Sequence, residues 1–172
     1  MRISRLAISM LATVWLIACG DASERSTTPD AGTHCGGTRI SLTSAREAAA
    51  FDLVEPRAPL ADSSDLQSVW RCSTVAGGFL LVYDSGVGVL ESVDTLRDPA
   101  AEWQGLADAY EEFSVGEING IPASFADPAI DDAIGGVDFV ASGVRYTVSG
   151  DGAIPLDDLI AVARSLRIGI TT

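Results

Sequence analysis

The chain has 172 residues, 47% of them apolar, and carries 11 basic against 24 acidic side chains, a net charge of −13. This length suffices for one domain with a substantial hydrophobic core, and a second domain is not expected. All basic residues are arginines, and the negative balance argues against nucleic acid and anionic lipid head groups as partners of the folded part.

The first 18 residues have the pattern of a secretory signal peptide. Arg2 and Arg5 give a positive start, and residues 6–18 carry no charge. A membrane-spanning helix needs roughly 20 apolar residues, so this stretch is too short for a permanent span. Residues 1–18 are therefore predicted to be removed, which leaves a net charge of −15 on the mature chain.

The segment LIAC at 16–19 resembles the lipobox of bacterial lipoproteins, with Leu16, a small Ala18 before the cut and the obligatory Cys19. The resemblance implies a diacylglyceryl group on Cys19 and a further acyl chain such as palmitate. Several acyl chains on one residue anchor a protein stably to a membrane. The expected location is the cell envelope, on the outer face of the plasma membrane or on the outer membrane. Simple secretion, with Cys19 incidental, is the alternative.

Residues 19–34 are predicted to be the lipid anchor and a flexible tether, because they are rich in Gly, Ser, Thr, Asp and Pro and have almost nothing to bury. The globular domain is expected at residues 35–172. Its two cysteines, Cys35 and Cys72, form an even pair, which in an envelope compartment indicates a disulfide. A metal site of both thiols with His34 is the alternative, but it has only three ligands and lacks the usual close spacing.

The first half of the domain reads as a helix followed by a meander. Ser44 and Glu47 have the spacing of a capping box, which predicts a helix start. Runs rich in strand-forming residues, separated by glycine turns, then predict three antiparallel strands at 66–75, 79–84 and 87–93.

Helical spacing returns after Asp98, which can cap a helix that Pro99 opens. Its apolar stripe predicts a helix packed on the sheet, and a ligand-binding aromatic face is the alternative. The stripe consists of Trp103, Leu106, Ala107, Tyr110 and Phe113.

Two hairpins and a last helix complete the domain. Asn119-Gly120 is a strong hairpin signal, and Ser142-Gly143 separates the predicted strands 137–141 and 144–148. Pro155 opens a helix with Asp157 and Asp158 near its N-terminus, where negative charge is favourable.

The order TSAREAAAF, FLLVYDSGVGVLES, EINGIPASF and VDFVASGVRYTVSGDGAIPLDDLIAVARSL resembles a family of uncharacterised bacterial extracytoplasmic domains, found in lipoproteins and on the outer side of anti-sigma-factor proteins. The resemblance covers residues 43–168. These domains are similar in fold to the outer-membrane lipoprotein carrier and the periplasmic sigma-factor regulator. The expected fold is therefore α+β, a curved antiparallel sheet of about six or seven strands with two or three helices packed on one face. The chain departs from the family by its cysteine pair, and no attached transmembrane or intracellular sigma-binding part is expected, so direct anti-sigma activity is not expected either.

No catalytic signature is present. There is no G-x-S-x-G elbow, and the only histidine, His34, lies at the tether junction. The acidic loop 127–138 could bind calcium or serve a hydrolase, but it lacks the spacing of either site, and a solvated loop is favoured. No cofactor, catalytic residue or resident metal is expected. The acids considered are Asp127, Asp131, Asp132, Asp138, Asp151, Asp157 and Asp158.

The sequence favours a membrane-tethered, non-catalytic binding or interaction module of the cell envelope. The expected binding surface is the groove between sheet and helices or an exposed sheet edge, with an envelope protein or a lipid as ligand. A carrier holding a lipid or acyl chain between sheet and helices is the alternative, and a hydrolase using the acidic loop is a third hypothesis. The candidate ligand-binding residues are Trp70, Tyr83, Trp103 and Tyr110.

Overall fold

The computed structural model describes residues 35–57, 65–127, 135–150 and 154–168. The described helices are α1 (Leu42–Ala48), α2 (Pro99–Ala109) and α3 (Leu156–Ser165). None of them is long and apolar enough to span a membrane. The described strands are β1 (Thr38–Ile40), β2 (Leu66–Arg71), β3 (Phe79–Tyr83), β4 (Gly88–Val93), β5 (Phe113–Ile118), β6 (Ile121–Ala126), β7 (Gly136–Ala141) and β8 (Val144–Ser149).

All eight strands belong to one curved antiparallel sheet, in the order β1-β2-β3-β4-β8-β7-β6-β5. The α+β class, the β2-β3-β4 meander and both hairpins are as expected. The strand count exceeds the predicted six or seven because Thr38–Ile40 adds an edge strand that pairs with Val69, Trp70 and Arg71.

Helix α1 begins earlier than the sequence suggested. Ser41, in extended backbone, is the N-cap, and its Oγ accepts the Ser44 N–H at 3.0 Å. The proposed cap, Ser44, is therefore already inside the first turn. The prediction chose the wrong serine because both have a side chain that can accept a free amide of the first turn.

Helix α2 starts as predicted but ends sooner. The Asp98 Oδ1 accepts the Ala101 N–H at 3.1 Å, and Pro99 opens the helix. Tyr110 then adopts extended backbone, with φ −139° and ψ 130°. Phe113, expected to continue the helical stripe, is instead the first residue of β5, where it pairs with Ala126.

The two hairpin turns require positive φ, and the predicted residues supply it. Asn119 and Gly120 have φ values of 52° and 81°, and Ser142 and Gly143 have 52° and 76°. Asparagine and glycine tolerate this region at low cost, which explains why these turns could be read from the sequence.

The helices do not all pack on one face, contrary to expectation. Helices α1 and α3 cover the face that holds the main core, which we call the core face. Helix α2 lies on the other face, the α2 face, because Trp103 bonds to Asp138, a residue that alternates with the core residues Val137 and Phe139. The largest fully buried side chains of the core face include Phe79, Phe139, Leu81, Ile118 and Leu159.

The predicted disulfide between Cys35 and Cys72 is present, with the two Cα atoms 5.0 Å apart. It joins Cys35, shortly before β1, to Cys72, the residue after β2, across 37 positions. Both cysteines are buried against Leu80 in a second, smaller cluster on the α2 face, apart from α2 itself. The partly buried members of this cluster are Trp70, Val75, Val82 and Leu90.

Candidate functional site

Strand β5 forms one edge of the sheet, and most of its residues are exposed to solvent. It pairs with β6 on one side, and no described strand pairs with its other side. Residues 114–117 are all exposed, and Val115 retains 43% of its accessible surface. An edge of this length offers unpaired backbone groups to any chain that approaches it.

The pairing shows which backbone groups point outward. Pro122 has no N–H, so its pair with Glu117 cannot exchange both ladder hydrogen bonds. The hydrogen-bonded pairs are therefore those on either side of it in alternation, such as Ser114 with Phe125 and Gly116 with Ala123. The Asp127 N–H, which donates to the Glu112 carbonyl at 3.0 Å, fits the same alternation. It follows that Val115 and Glu117 direct their N–H and C=O groups away from β6.

A groove of about 260 Å³ lies beside this edge, between α2 and β5. Drug-sized ligands occupy pockets of roughly 300–1,000 Å³, so this groove suits a few side chains of a polymer better than a whole small molecule. Its lining residues are Ala100, Trp103, Gln104, Val115, Gly116, Glu117, Pro122 and Ala123.

Trp103 forms the buried wall of the groove, and Asp138 holds it in place. The indole N–H donates to Asp138 Oδ2 at 3.1 Å. The same carboxylate accepts from the Arg145 guanidinium, with Nε at 3.0 Å, and from the Thr147 hydroxyl at 3.0 Å. Burial alone would lower the pKa of Arg145, but the Asp138 carboxylate outweighs it and raises that pKa. The network fixes α2, and so the shape of the groove, on the sheet.

Tyr110 lies at the C-terminal end of α2, outside the residues that line the groove. It is 53% exposed, and its ring meets that of Phe113 edge-on, with centroids 6.2 Å apart. Exposed large apolar side chains often mark contact surfaces when they cluster. Tyr110 and Val115, both near the start of β5, are two of the three exposed large apolar residues among the described ranges; the third is Val93.

The same stretch of chain is strongly acidic. Between Asp98 and Asp127 it contains seven carboxylates and no basic residue. Arg145, which lies beneath α2, is already bonded to Asp138. The stretch that forms the groove and the edge is therefore net negative, with Arg97 directly before it. The seven acids are Asp98, Glu102, Asp108, Glu111, Glu112, Glu117 and Asp127.

Of the four candidate aromatic residues, only Trp103 lines the groove; Tyr110 is exposed at the end of α2, and Trp70 and Tyr83 lie elsewhere. Trp70 lies in β2 with the disulfide cluster, and its indole N–H donates to Ser68 Oγ at 3.0 Å. Tyr83 is only 2% exposed and belongs to the main core. Its hydroxyl has no hydrogen-bond partner among the described residues.

The acidic loop is only partly described. Asp138 lies on β7 with its carboxylate occupied by three side chains, and Asp157 and Asp158 lie in the first turn of α3, as predicted. Within the described ranges, no group of three or more potential ligands could hold a metal ion. The remaining predicted residues Cys19, His34, Asp131, Asp132 and Asp151 lie outside the described residues.

The sequence reading missed one unusual carboxyl group, that of Glu91. It is fully buried on the core face, and burial raises its pKa to about 8, although the bound Val54 N–H lowers it and Glu55 raises it further. The sequence did contain a sign of this burial, because Glu91 alternates with Val89 and Val93 in a strand and therefore lies on the same face as these apolar residues. Glu91 is fully buried, does not line the groove and accepts the Val54 N–H, so it belongs to the core rather than to the site.

No protein-family model, curated protein or solved structure matches the chain.

Proposed function

We propose that the protein is a membrane-tethered, non-catalytic binding module of the cell envelope, whose binding surface is the edge of β5 with the adjoining groove. The outward-facing backbone of Val115 and Glu117 is the observation that carries this proposal. An exposed strand edge next to a side-chain groove is the arrangement by which many domains bind peptide segments.

The filled core favours this surface over the lipid-carrier alternative. The space between the sheet and α3 is occupied by large side chains such as Phe139 and Leu159, both fully buried. The second pocket, beneath α2, measures only about 30 Å³, room for roughly one water molecule. An acyl chain would have to displace close-packed side chains to enter the interior.

The state of the carboxylates supports a non-catalytic role. Asp138, the most deeply placed acid on the α2 face, is fully engaged in holding Trp103, Arg145 and Thr147. Glu91 faces the closed core. A hydrolase needs carboxyl groups that reach its substrate, and neither of these does; Glu117 does line the groove, but no second carboxylate is among its described lining residues.

The membrane tether rests on the segment LIAC at 16–19. We expect the mature chain to carry acyl groups on Cys19 and to fractionate with membranes. Expression in the host followed by mass measurement of the mature N-terminal peptide checks this expectation. A Cys19→Ser chain should appear in the soluble fraction, and its retention in the membrane would contradict the tether.

The binding surface is tested by selection from a charge-balanced peptide library displayed on phage, with the full chain immobilised in mild detergent. Val115→Pro removes an outward N–H of the edge without removing a bond to β6. We expect sequences that bind the natural chain and lose binding to Val115→Pro. Failure to enrich any sequence, or enrichment of sequences that bind both chains equally, would overturn the proposed surface.

A further inference from the structure

We propose that the occupant of this edge is an extended polypeptide segment with basic side chains at alternate positions, which adds to the sheet as a strand beside β5. This inference rests on the proposed function and names the class of partner. It combines two independent observations: the direction of the β5 backbone groups and the charge of the surrounding chain.

The backbone of β5 determines the extended form. Val115 and Glu117 each turn an N–H and a C=O outward, at the edge that pairs with no described strand. Their spacing is that of alternate residues in a strand, so only an extended chain can satisfy both residues at once. Strand addition of this kind uses main-chain hydrogen bonds for affinity and side-chain pockets for specificity.

The side chains of the incoming strand would meet the groove at every second position. Val115 and Glu117 line the groove, so their side chains point to the α2 face. In an antiparallel pair, residues directly opposite each other have side chains on the same face. A residue opposite Glu117 therefore projects beside the Glu117 carboxylate and the Gln104 amide, with Trp103 and Val115 providing apolar surface. A long basic side chain fits the polar and the apolar part of this surface, since its methylene stem is apolar and its end group is charged.

The charge of the surrounding chain determines the charge of the segment that can bind. The stretch from Asp98 to Asp127 has seven acids and no base, so its field attracts a cationic segment and repels an anionic one. The same field disfavours pairing of β5 with β5 of a second copy, because two acidic edges would be brought together. A foreign basic strand is thus a better occupant than a second copy.

The test uses three labelled peptides of roughly eight residues that alternate valine with arginine, glutamine or glutamate, a length that spans a typical strand. Binding to the full chain in mild detergent is followed by fluorescence anisotropy. We expect the arginine peptide to bind about tenfold more tightly than the glutamine peptide, since a few exposed ion pairs together give this factor. The glutamate peptide should not bind.

A second form of the arginine peptide carries N-methyl groups on its arginine amides, which are the amides that face β5 when arginine lies opposite Glu117. The methyl groups remove these hydrogen-bond donors from the peptide and keep its charge. We expect its binding, and the binding of the unmethylated peptide to Val115→Pro, to weaken by about tenfold or more. If both remain as tight as the original complex, the peptide adheres by charge alone and strand addition is overturned.

Two variants of equal charge separate the groove from the general field. Glu117→Gln removes the acid beside the groove, and Glu47→Gln removes an exposed acid of α1. We expect Glu117→Gln to weaken the arginine peptide about threefold and Glu47→Gln to leave it unchanged. Equal effects would overturn the placement of the basic side chain.

The failures of the two proposals can be told apart. If the library yields acidic or uncharged sequences that depend on Val115, the binding surface stands and the basic partner is wrong. If the glutamine peptide binds as tightly as the arginine peptide, the same conclusion follows. If the library yields nothing that depends on Val115, the surface itself is wrong.

Discussion

Both carboxyl oxygens of Glu91 lie within hydrogen-bonding distance of the Val54 N–H, at 3.1 and 3.2 Å, although the residues are 37 positions apart. Glu91 lies in the middle of β4, between Phe79 of β3 and Tyr146 of β8. The bond ties the segment that follows α1 to the centre of the sheet. It does so with a group whose charge is costly in this position, because the carboxyl is fully buried.

This burial predicts a pH-dependent stability. The pKa of Glu91 is raised from 4.5 to about 8 in the folded chain, so between these values the unfolded chain is ionised at Glu91 and the folded chain is protonated. Folding then takes up a proton, and the free energy of unfolding falls as pH rises through this window. Glu91→Gln removes the titration and keeps an acceptor for Val54. From pH 5 to pH 8 we expect the natural chain to lose roughly 2–4 kcal/mol relative to the variant.

Chemical unfolding at both pH values, followed by tryptophan fluorescence, measures this difference. Exposed acids titrate in both chains and cancel in the comparison. Glu47→Gln, an exposed acid of α1, is the control and should run parallel to the natural chain. Parallel curves for Glu91→Gln as well would show that Glu91 titrates normally.

The register of β5 predicts a contrast between neighbouring proline substitutions. Ser114 is in a hydrogen-bonded pair with Phe125, whereas Val115 turns its N–H outward. Ser114→Pro removes a ladder bond and leaves the Phe125 carbonyl without its donor, which costs about 1–3 kcal/mol. Val115→Pro should cost less than about 1 kcal/mol, since proline is tolerated at a strand edge. Urea unfolding of both chains gives the comparison, and the reverse order would contradict the pairing.

Local turn chemistry made part of the fold predictable. Asn119-Gly120 and Ser142-Gly143 were identified correctly because a two-residue turn is decided by its own residues. The start of α1 and the end of α2 were wrong for different reasons. Ser44 could cap a helix, but Ser41, three residues earlier, caps first, which is a local competition. Phe113 could continue a helix, but pairing with Ala126 draws it into β5, and a periodic pattern contains no information on such tertiary pairing.

The candidate site was predicted only in part. The sequence singled out Trp103 and Tyr110 as aromatic residues of one helix, but only Trp103 lines the groove, and Tyr110 is the residue that ends α2. It could not show that Val115 and Glu117 face outward, because that depends on which β5 residues bond to β6. The role of Asp138 was also hidden, since a carboxylate next to an acidic loop gives no sign that Trp103, 35 positions earlier, will bond to it.

The disulfide predicts a large stabilisation. Cys35 and Cys72 close a segment of 37 positions, which in the chain-entropy model corresponds to about 4 kcal/mol. The Cys35 carbonyl also accepts the N–H groups of Ser73 and Thr74, so the bridge orders the loop after β2. We expect a paired Cys35→Ser, Cys72→Ser chain to unfold at a clearly lower temperature. A reducing agent should lower the melting temperature of the natural chain and leave that of the double variant unchanged; equal responses would contradict a structural role.

The bond between Trp103 and Asp138 predicts an energetic coupling between α2 and β7. Trp103→Phe keeps most of the buried ring and removes the indole N–H. Asp138→Asn keeps the shape of the side chain and removes the negative charge, to which Arg145 and Thr147 also donate hydrogen bonds. Each change alone should destabilise the chain by about 1–3 kcal/mol, because hydrogen bonds to charged groups are stronger than neutral ones. The two effects should not add, since Trp103→Phe removes the bond and Asp138→Asn weakens the same bond by removing its charge. We expect a coupling of about 1 kcal/mol.

A double-mutant cycle by urea unfolding measures this coupling, with Thr147→Val in place of Trp103→Phe as the matched comparison, because Thr147 donates to the other Asp138 oxygen at 3.0 Å. Peptides obtained from the library should also bind more weakly to Trp103→Phe, whose groove wall is no longer fixed to the sheet. Strict additivity of Trp103→Phe and Asp138→Asn, together with unchanged peptide binding, would show that Asp138 does not hold the groove. Coupling in stability with unchanged peptide binding would show that the contact between Trp103 and Asp138 stabilises the fold but does not contribute to binding. The affinity would then come from the strand edge at Val115 rather than from the Trp103 wall.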